Sequence, residues 1–322
     1  METKAISIIG MNRIGASVGL ALKQAFPHLT FTGYDEDRER SEAAQKLGAV
    51  DLVETGLRSA CSEADIVILN VPVSELKTTL QSIGGDLQEH TLVLDLSLLK
   101  STGLKWADQY VEQGHYIGVR PILAADFLKD GRSGLEAASP DLFRDSVFCI
   151  MASAKVDPQA VETAINVGRS LGATPYFLDA AEFDGLIQGI ETLPRLVAVA
   201  LFNAVHKSPS WRDTLRFTDI TFAQVTALLE DSEEVAALAL YDKATITYWL
   251  DKLIAELHEV KRWLHRDEDE TMPAILETIS LEREKWLHER HKNDWLEVPS
   301  EDVQAPSLLG GFFGQRLRKA ED

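Results

Sequence analysis

The feature that most constrains this chain is an alternation in its first half. Short runs rich in branched residues occur at 5–10 (AISIIG), 30–35 (TFTGYD), 65–70 (DIVILN), 91–96 (TLVLDL), 116–119 (YIGV) and 146–152 (SVFCIMA). Between the first five lie segments of helical length at 14–26, 38–47, 74–83 and 102–113. Strand, helix, strand in repetition builds a mostly parallel, doubly wound α/β sheet with helices on both faces. A helix over 157–173 follows, opening with Asp157 as cap and Pro158 in its first turn, and 174–179 is a last strand. From residue 181 the pattern changes to helical periodicity at 181–206, 218–231 and 233–265, rich in Ala, Leu and Glu. The expected organisation is a sheet domain over 1–180, an all-helical domain over 181–265 and an extension over 266–322. That extension holds one helix, 273–294, and an irregular tail; its acidic DEDE run reads as a solvated linker. The apolar LLGGFF stretch should dock on its own chain or a partner, and the extension as a whole on the helical domain or across a dimer.

The segment SIIGMNRIGASVGLALK (7–23) places Gly10 and Gly15 between the first strand and the first helix. A dinucleotide-binding Rossmann turn needs one glycine for the bend, one for close approach of the pyrophosphate and one for helix packing. The middle position here is Asn12, which tolerates unusual backbone angles but brings a side chain towards the phosphates. The helix beginning at Arg13 and Ile14 still offers free N–H groups to an anion. Asp35 ends the second strand, twenty residues after Gly15, where a carboxylate accepts ribose hydroxyls and repels a 2′-phosphate. This favours NAD as cofactor, with Arg38 as a cation that softens the preference. The other reading of the same residues is a glycine turn of an unrelated α/β fold, with Asp35 a plain loop residue.

Fifty-one acidic residues against 32 basic ones give a formal net charge of −19, which argues against nucleic acid and acidic membranes as partners. It leaves room for a small anionic ligand held by a few local arginines. Cys61 and Cys149 sit in apolar segments, and no His, Cys, Asp or Glu grouping has metal-ligand spacing. No apolar run approaches 18 residues, so the expected setting is cytoplasmic.

Several segments in the same order resemble the prephenate and arogenate dehydrogenases, the oxidative decarboxylases of tyrosine biosynthesis. They are GASVGLALK (15–23), GYDED (33–37), NVPV (70–73), GLEAASPDLF (134–143), AAEFDGLIQGIETLP (180–194) and WRDTLR (211–216). The resemblance spans about residues 5 to 250 and implies a Rossmann domain followed by a helical substrate and dimerisation domain, hence a homodimer. It adds Val71 and Pro72 to the cofactor-binding candidates, and Arg216, with Arg212, as the anchor for a substrate carboxylate. Members with known activity keep a His-Pro pair after the strand that here reads YIGVRP; this chain has Arg120. That histidine assists loss of the ring hydroxyl proton as hydride leaves, whereas a guanidinium cannot act as a base at neutral pH. Other polar positions implied by the resemblance differ too. The family's serine corresponds to Leu98, with Asp95, Ser97 and Lys100 nearby. The histidine of the helical-domain entry is Phe183, the Ser-His-Leu-Pro-His run is Glu191 to Arg195, and an expected aromatic is Val225.

Arg120 reads either as an anion clamp beside the nicotinamide or as half of a strand-end salt bridge to Asp95 or Glu191. Glu191 is a compensating partner or a new acid/base group. Arg195 is a structural cation or joins the same pocket, and Arg216 binds substrate or makes a surface ion pair. His115 belongs to the far edge of the sheet and His206 to a helix end. Two functions remain open: an NAD-dependent dehydrogenase of prephenate dehydrogenase type acting on a small carboxylic acid, or a catalytically inactive nucleotide-binding paralogue serving as sensor or regulatory subunit. Convergence of Arg120, Arg216 and Glu191 in one cleft is what the first predicts.

Overall fold

The computed structural model describes residues 3–229, 231–265 and 271–293. The strands are β1 (Ala5–Ile9), β2 (Thr30–Tyr34), β3 (Leu52–Val53), β4 (Ile66–Leu69), β5 (Leu92–Asp95), β6 (His115–Pro121), β7 (Val147–Ala152) and β8 (Thr174–Phe177). They form one sheet in the order β3-β2-β1-β4-β5-β6-β7-β8. All neighbours are parallel except β6 and β7. The first six strands thus have the doubly wound Rossmann order, which reverses between β1 and β4. Both faces are covered, so the central strands are apolar throughout. Ile66 and Ile68 of β4 enter the core on one face, Val67 and Leu69 the core on the other.

Helices α1 (Arg13–Ala25), α2 (Arg38–Lys46), α3 (Leu57–Cys61), α4 (Val73–Ile83), α5 (Lys100–Tyr110) and α6 (Pro158–Ser170) flank the sheet. The two-residue β3 and the five-residue α3 were not expected, being too short to leave a periodic pattern. The antiparallel entry of β7 is the other departure, pairing Arg120 with Cys149 and Pro121 with Phe148. Pro121 fits because its neighbour β5 pairs only as far as Gly118, so no bond of that ladder needs its missing N–H.

Beyond β8 the described chain is helical: α7 (Ala180–Ile187), α8 (Leu193–His206), α9 (Trp211–Thr214), α10 (Ile220–Thr226), α11 (Ser232–Tyr241), α12 (Lys243–His265) and α13 (Thr271–Lys292). A π-turn, Gln188–Thr192, joins α7 to α8 just before Pro194, whose ring cannot donate to the regular ladder. The run expected as one helix over 233–265 is two, broken at Asp242 (φ −136, ψ 63).

Two carboxylates from this helical part cap helices of the sheet part. Asp184 of α7 accepts from the backbone N–H groups of Lys100 (2.6 Å) and Ser101 (2.9 Å), at the start of α5. Glu234 of α11 accepts from Ser74 N–H (3.0 Å) at the start of α4. An apolar cluster between the two parts includes Val73, Leu98, Leu99, Cys149, Met151, Phe183, Ile187 and Leu238.

The extension helix was expected on the helical domain or across a dimer. It does touch α12, but it also docks on the sheet part, beside the loop after β6. Leu287 is buried there, Arg290 Nη2 donates to Leu123 O (2.7 Å), and Asn293 Nδ2 donates to Asp145 O (2.9 Å). The DEDE run and LLGGFF lie outside the described residues.

Candidate active site

At the reversal between β1 and β4 the chain leaves the sheet through Gly10, whose φ of +94° disfavours any side chain. A Cβ at Gly10 would run into the Asn70 carbonyl, and one at Gly15 into the Gly10 carbonyl. The turn is therefore closed by backbone contact, and glycine is required at both positions. Asn12 is the N-cap of α1: its Oδ1 accepts from Ile14 N–H (2.9 Å) and Gly15 N–H (3.2 Å), so these two amides are not the free anion donors that the sequence suggested. Asn70 Nδ2 donates to that same oxygen (2.7 Å) and to Gly10 O (3.0 Å).

Asp35 faces this turn with its carboxylate 8% exposed. Its Oδ2 accepts from Met11 N–H (2.7 Å) and its Oδ1 from Asp37 N–H (2.9 Å), so it both holds the turn and sits beside the cavity. That cavity has a volume of about 610 Å³ and is lined by Gly10, Asn12, Asp35, Asn70, Val71 and Pro72, with Glu36, Asp37, Glu75 and Asp231 at its mouth. Burial, then the fields of Glu36, Asp231, Asp35 and Glu234, push the Glu75 carboxyl above its usual range. The cation beside Asp35 is Arg40 (3.5 Å to Oδ1), not the expected Arg38, which pairs with Glu42 at 2.8 Å along its own helix. Arg13 supplies its backbone to the helix start, but its side chain turns away. It bonds Ala137 O (3.1 Å) and is ion-paired with Asp130. Ile14 packs on the core below, and Gly15 supports the turn from behind.

Along the same edge of the sheet, at the ends of β5 and β6, lies a group of charged side chains. Arg120 is partly buried, and its Nη1 donates to Leu96 O (3.0 Å). Burial lowers its pKa; among neighbouring charges, Glu191 favours its ionisation and Arg195 opposes it. Glu191 lies in the π-turn and meets Arg195 Nη1 through its carboxylate (3.2 Å) and its carbonyl (3.1 Å). Behind these, Lys100 Nζ is fully buried and donates to Asp95 O (2.6 Å) and to Asp95 Oδ2 (3.3 Å). Burial pulls the lysine down to about 8, against the opposing pull of Asp95. Asp95 also accepts from Ser97 N–H (2.8 Å) and Ser97 Oγ (2.9 Å). Burial drives the Cys149 thiol up to about 11 and lifts the Tyr116 phenol well above its ordinary value, so both are neutral near pH 7.

Arg120, Glu191 and Arg195 lie together, but the convergence of Arg120, Glu191 and Arg216 that the first hypothesis requires is not met. Arg216 and Arg212 are both exposed around α9, where Arg216 makes only a loose pair with Asp213 (3.9 Å). Phe183 and Leu98, where the resemblance implies histidine and serine, are buried together in the apolar cluster between the two parts. His206 ends α8, stacked on Phe202 with ring centroids 5.6 Å apart, and His115 begins β6 at the far edge of the sheet. Sequence reasoning missed Asn70 as the hub of the glycine turn, and Tyr34, Arg40 and the acidic mouth of the cavity. For Asn70 the signal was its position at the end of a strand neighbouring the glycine strand. Among the described residues no grouping of His, Cys, Asp or Glu could hold a metal ion.

Residues 18–176 match the family described as prephenate dehydrogenase, nucleotide-binding domain. The chain is 27% identical to the prephenate dehydrogenase of Bacillus subtilis (strain 168) over 277 residues, covering 85% of this chain and 73% of that protein. It is 22% identical to the cyclohexadienyl dehydrogenase of Zymomonas mobilis subsp. mobilis over 261 residues, 80% of this chain and 87% of the relative. In fold it resembles the prephenate dehydrogenase of A. aeolicus, solved in complex with hydroxyphenyl propionate and NAD+. The TM-score is 0.74 at 20% identity, with 88% of this chain and 99% of that one covered.

Proposed function

We propose that the chain is a member of the prephenate and arogenate dehydrogenase family and acts as an NAD-dependent dehydrogenase on prephenate, arogenate or a related small carboxylic acid. The observation that carries this reading is the cavity at the β1–β4 reversal, built from Gly10, Asn12 and Asp35, on the same edge of the sheet as Arg120. The residues fit the cofactor: a backbone-closed turn at a helix N-terminus, and a carboxylate placed for ribose hydroxyls. The acidic mouth supports NAD over NADP, since Asp35, Glu36 and Asp37 would all repel a 2′-phosphate. NAD, when bound, supplies the hydride acceptor. Arg120 holds an anionic oxygen of the substrate beside it, and charge developing there is stabilised by a guanidinium that needs no proton transfer. A proton released from substrate goes to Glu191 or to water, because Arg120 cannot take it. Arg195 fixes the Glu191 carboxylate. The same proposal places the enzyme in the cytoplasm, where its two buried free cysteines stay reduced.

One observation favours the inactive-paralogue reading. Leu98 and Phe183 have joined an apolar core, and Arg120 already has Glu191 as a compensating charge. Calorimetry and turnover separate the two. We expect NADH to bind and raise Tm more than NADPH does. Prephenate or arogenate should be oxidised by the wild type, and Arg120→His should raise that rate by up to about 10²-fold through restored acid–base help. Turnover by the mutant alone would establish the inactive reading for these acids, and absence of any NADH response would remove the cofactor.

We also infer a homodimer through the helical part. Phe217 (81% exposed), Ile220 (64%) and Leu264 (66%) are among many large apolar side chains left in water there. The helical run Ala180–His206, long and apolar enough to cross a membrane although the sequence suggested no such run, is mostly uncovered in the fold. A second copy covering this surface would account for it. Light scattering should give twice the chain mass, and Phe217→Glu should shift the equilibrium to monomer.

A further inference from the structure

Not all of the first-turn amides of α1 are free. Asn12 Oδ1 accepts from two of them, Ile14 N–H at 2.9 Å and Gly15 N–H at 3.2 Å. Asn70 Nδ2 adds a third donor at 2.7 Å. A bound pyrophosphate draws on the amides at the start of this helix, and glycine at the middle position of the fingerprint leaves them open to it. We propose that Asn12 is a built-in occupant of the pyrophosphate subsite, its carboxamide oxygen standing where a phosphate oxygen has to bind. This rests on the reading of the cavity as a dinucleotide site, and it makes Asn12 the residue that sets cofactor affinity.

The chemistry follows from the donor count. For a pyrophosphate to reach the Ile14 and Gly15 amides, Asn12 must give up two backbone bonds and its bond to Asn70, and rotate out of the turn. Those bonds are exchanged for charge-assisted ones to phosphate, so binding remains favourable but is weakened by what the cap contributed. Asn70 makes the latch specific. Its Nδ2 is shared between Asn12 Oδ1 and Gly10 O, so it holds the side chain against the same turn the cofactor must approach. A ligand without phosphates has no use for these amides and should not disturb the latch.

Asn12→Gly tests this, because glycine is itself tolerated at an N-cap and clears the subsite. Isothermal titration of wild type and variant with NADH and with adenosine reads the effect. We expect the Kd for NADH to fall about tenfold in the variant and that for adenosine to stay within about twofold. An NADH affinity unchanged or weakened in Asn12→Gly overturns the inference while leaving the cofactor reading intact, and so does equal tightening for adenosine. Uptake of NADH by neither protein removes both. Should the variant fail to fold, the wild type still decides. Saturating NADH must shift the side-chain amide resonances of both Asn12 and Asn70 in an ¹⁵N–¹H spectrum, and resonances that stay in place refute the displacement.

Discussion

The glycine end of the cleft and the Arg120 end are built from different material. At the glycine end the decisive contacts are backbone on backbone: Gly10 against the Asn70 carbonyl, Gly15 against the Gly10 carbonyl, and Asp35 receiving two main-chain N–H groups. At the Arg120 end they are charged side chains brought together from β5, α5, β6 and the π-turn. A turn held by backbone geometry survives drift in its side chains, which is why Asn12 can replace a glycine there. A set of buried charges survives only if its members change together. Leu98 and Phe183 share one apolar cluster, while Arg120, Glu191 and Arg195 form a charged group nearby.

The contrast can be broken most forcefully at the buried charges. Lys100→Met leaves the Asp95 carboxylate buried without its ammonium partner, and should cost about 3–5 kcal/mol of stability in denaturant unfolding. A loss below about 1 kcal/mol would mean that the charges at this end are as replaceable as the side chains of the glycine turn. At the other end, Asp35→Ala should raise the Kd for NADH by about 10- to 100-fold, because a charged acceptor for ribose is removed and the turn is loosened. Per unit of pH the effect of titration is smaller still. Lys100 titrates near 8 in the fold and at its ordinary 10.5 when unfolded, so between those values the unfolded chain binds more protons. Keeping Lys100 charged in the fold therefore costs stability below about pH 8, and that cost is relieved as pH rises towards 10.5. The slope is at most about 1.4 kcal/mol per pH unit, and thermal melts of Lys100→Met should lack it.

What could be read in the chain follows the range of the interactions. The sheet was legible because β-branched runs and their intervening helices are local patterns, and the fingerprint because Gly10, Gly15 and Asp35 sit at fixed spacings. The two-residue β3 carries too little pattern to be seen, and nothing local says that β7 enters antiparallel. Asp184 and Glu234 look like ordinary helix-surface carboxylates, since the amides they cap lie 84 and 160 residues away. Arg120, Leu98 and Phe183, where the resemblance implies histidine, serine and histidine, could be named from the sequence. That two of them would meet as core depended on packing between distant segments, and so did the choice of Glu191 and Arg195, which the sequence offered only as alternatives, as neighbours of the third.

The two borrowed caps have a kinetic consequence. The leading amides of α4 and α5 are protected by carboxylates that belong to α11 and α7, so their protection lasts only while the helical part stays docked. In hydrogen exchange they should follow the opening of that part rather than the slower opening of the strands beneath them. This edge of the sheet would then be timed by its neighbour: each time the helical part lifts, the helices beside Arg120 lose their caps in the same event.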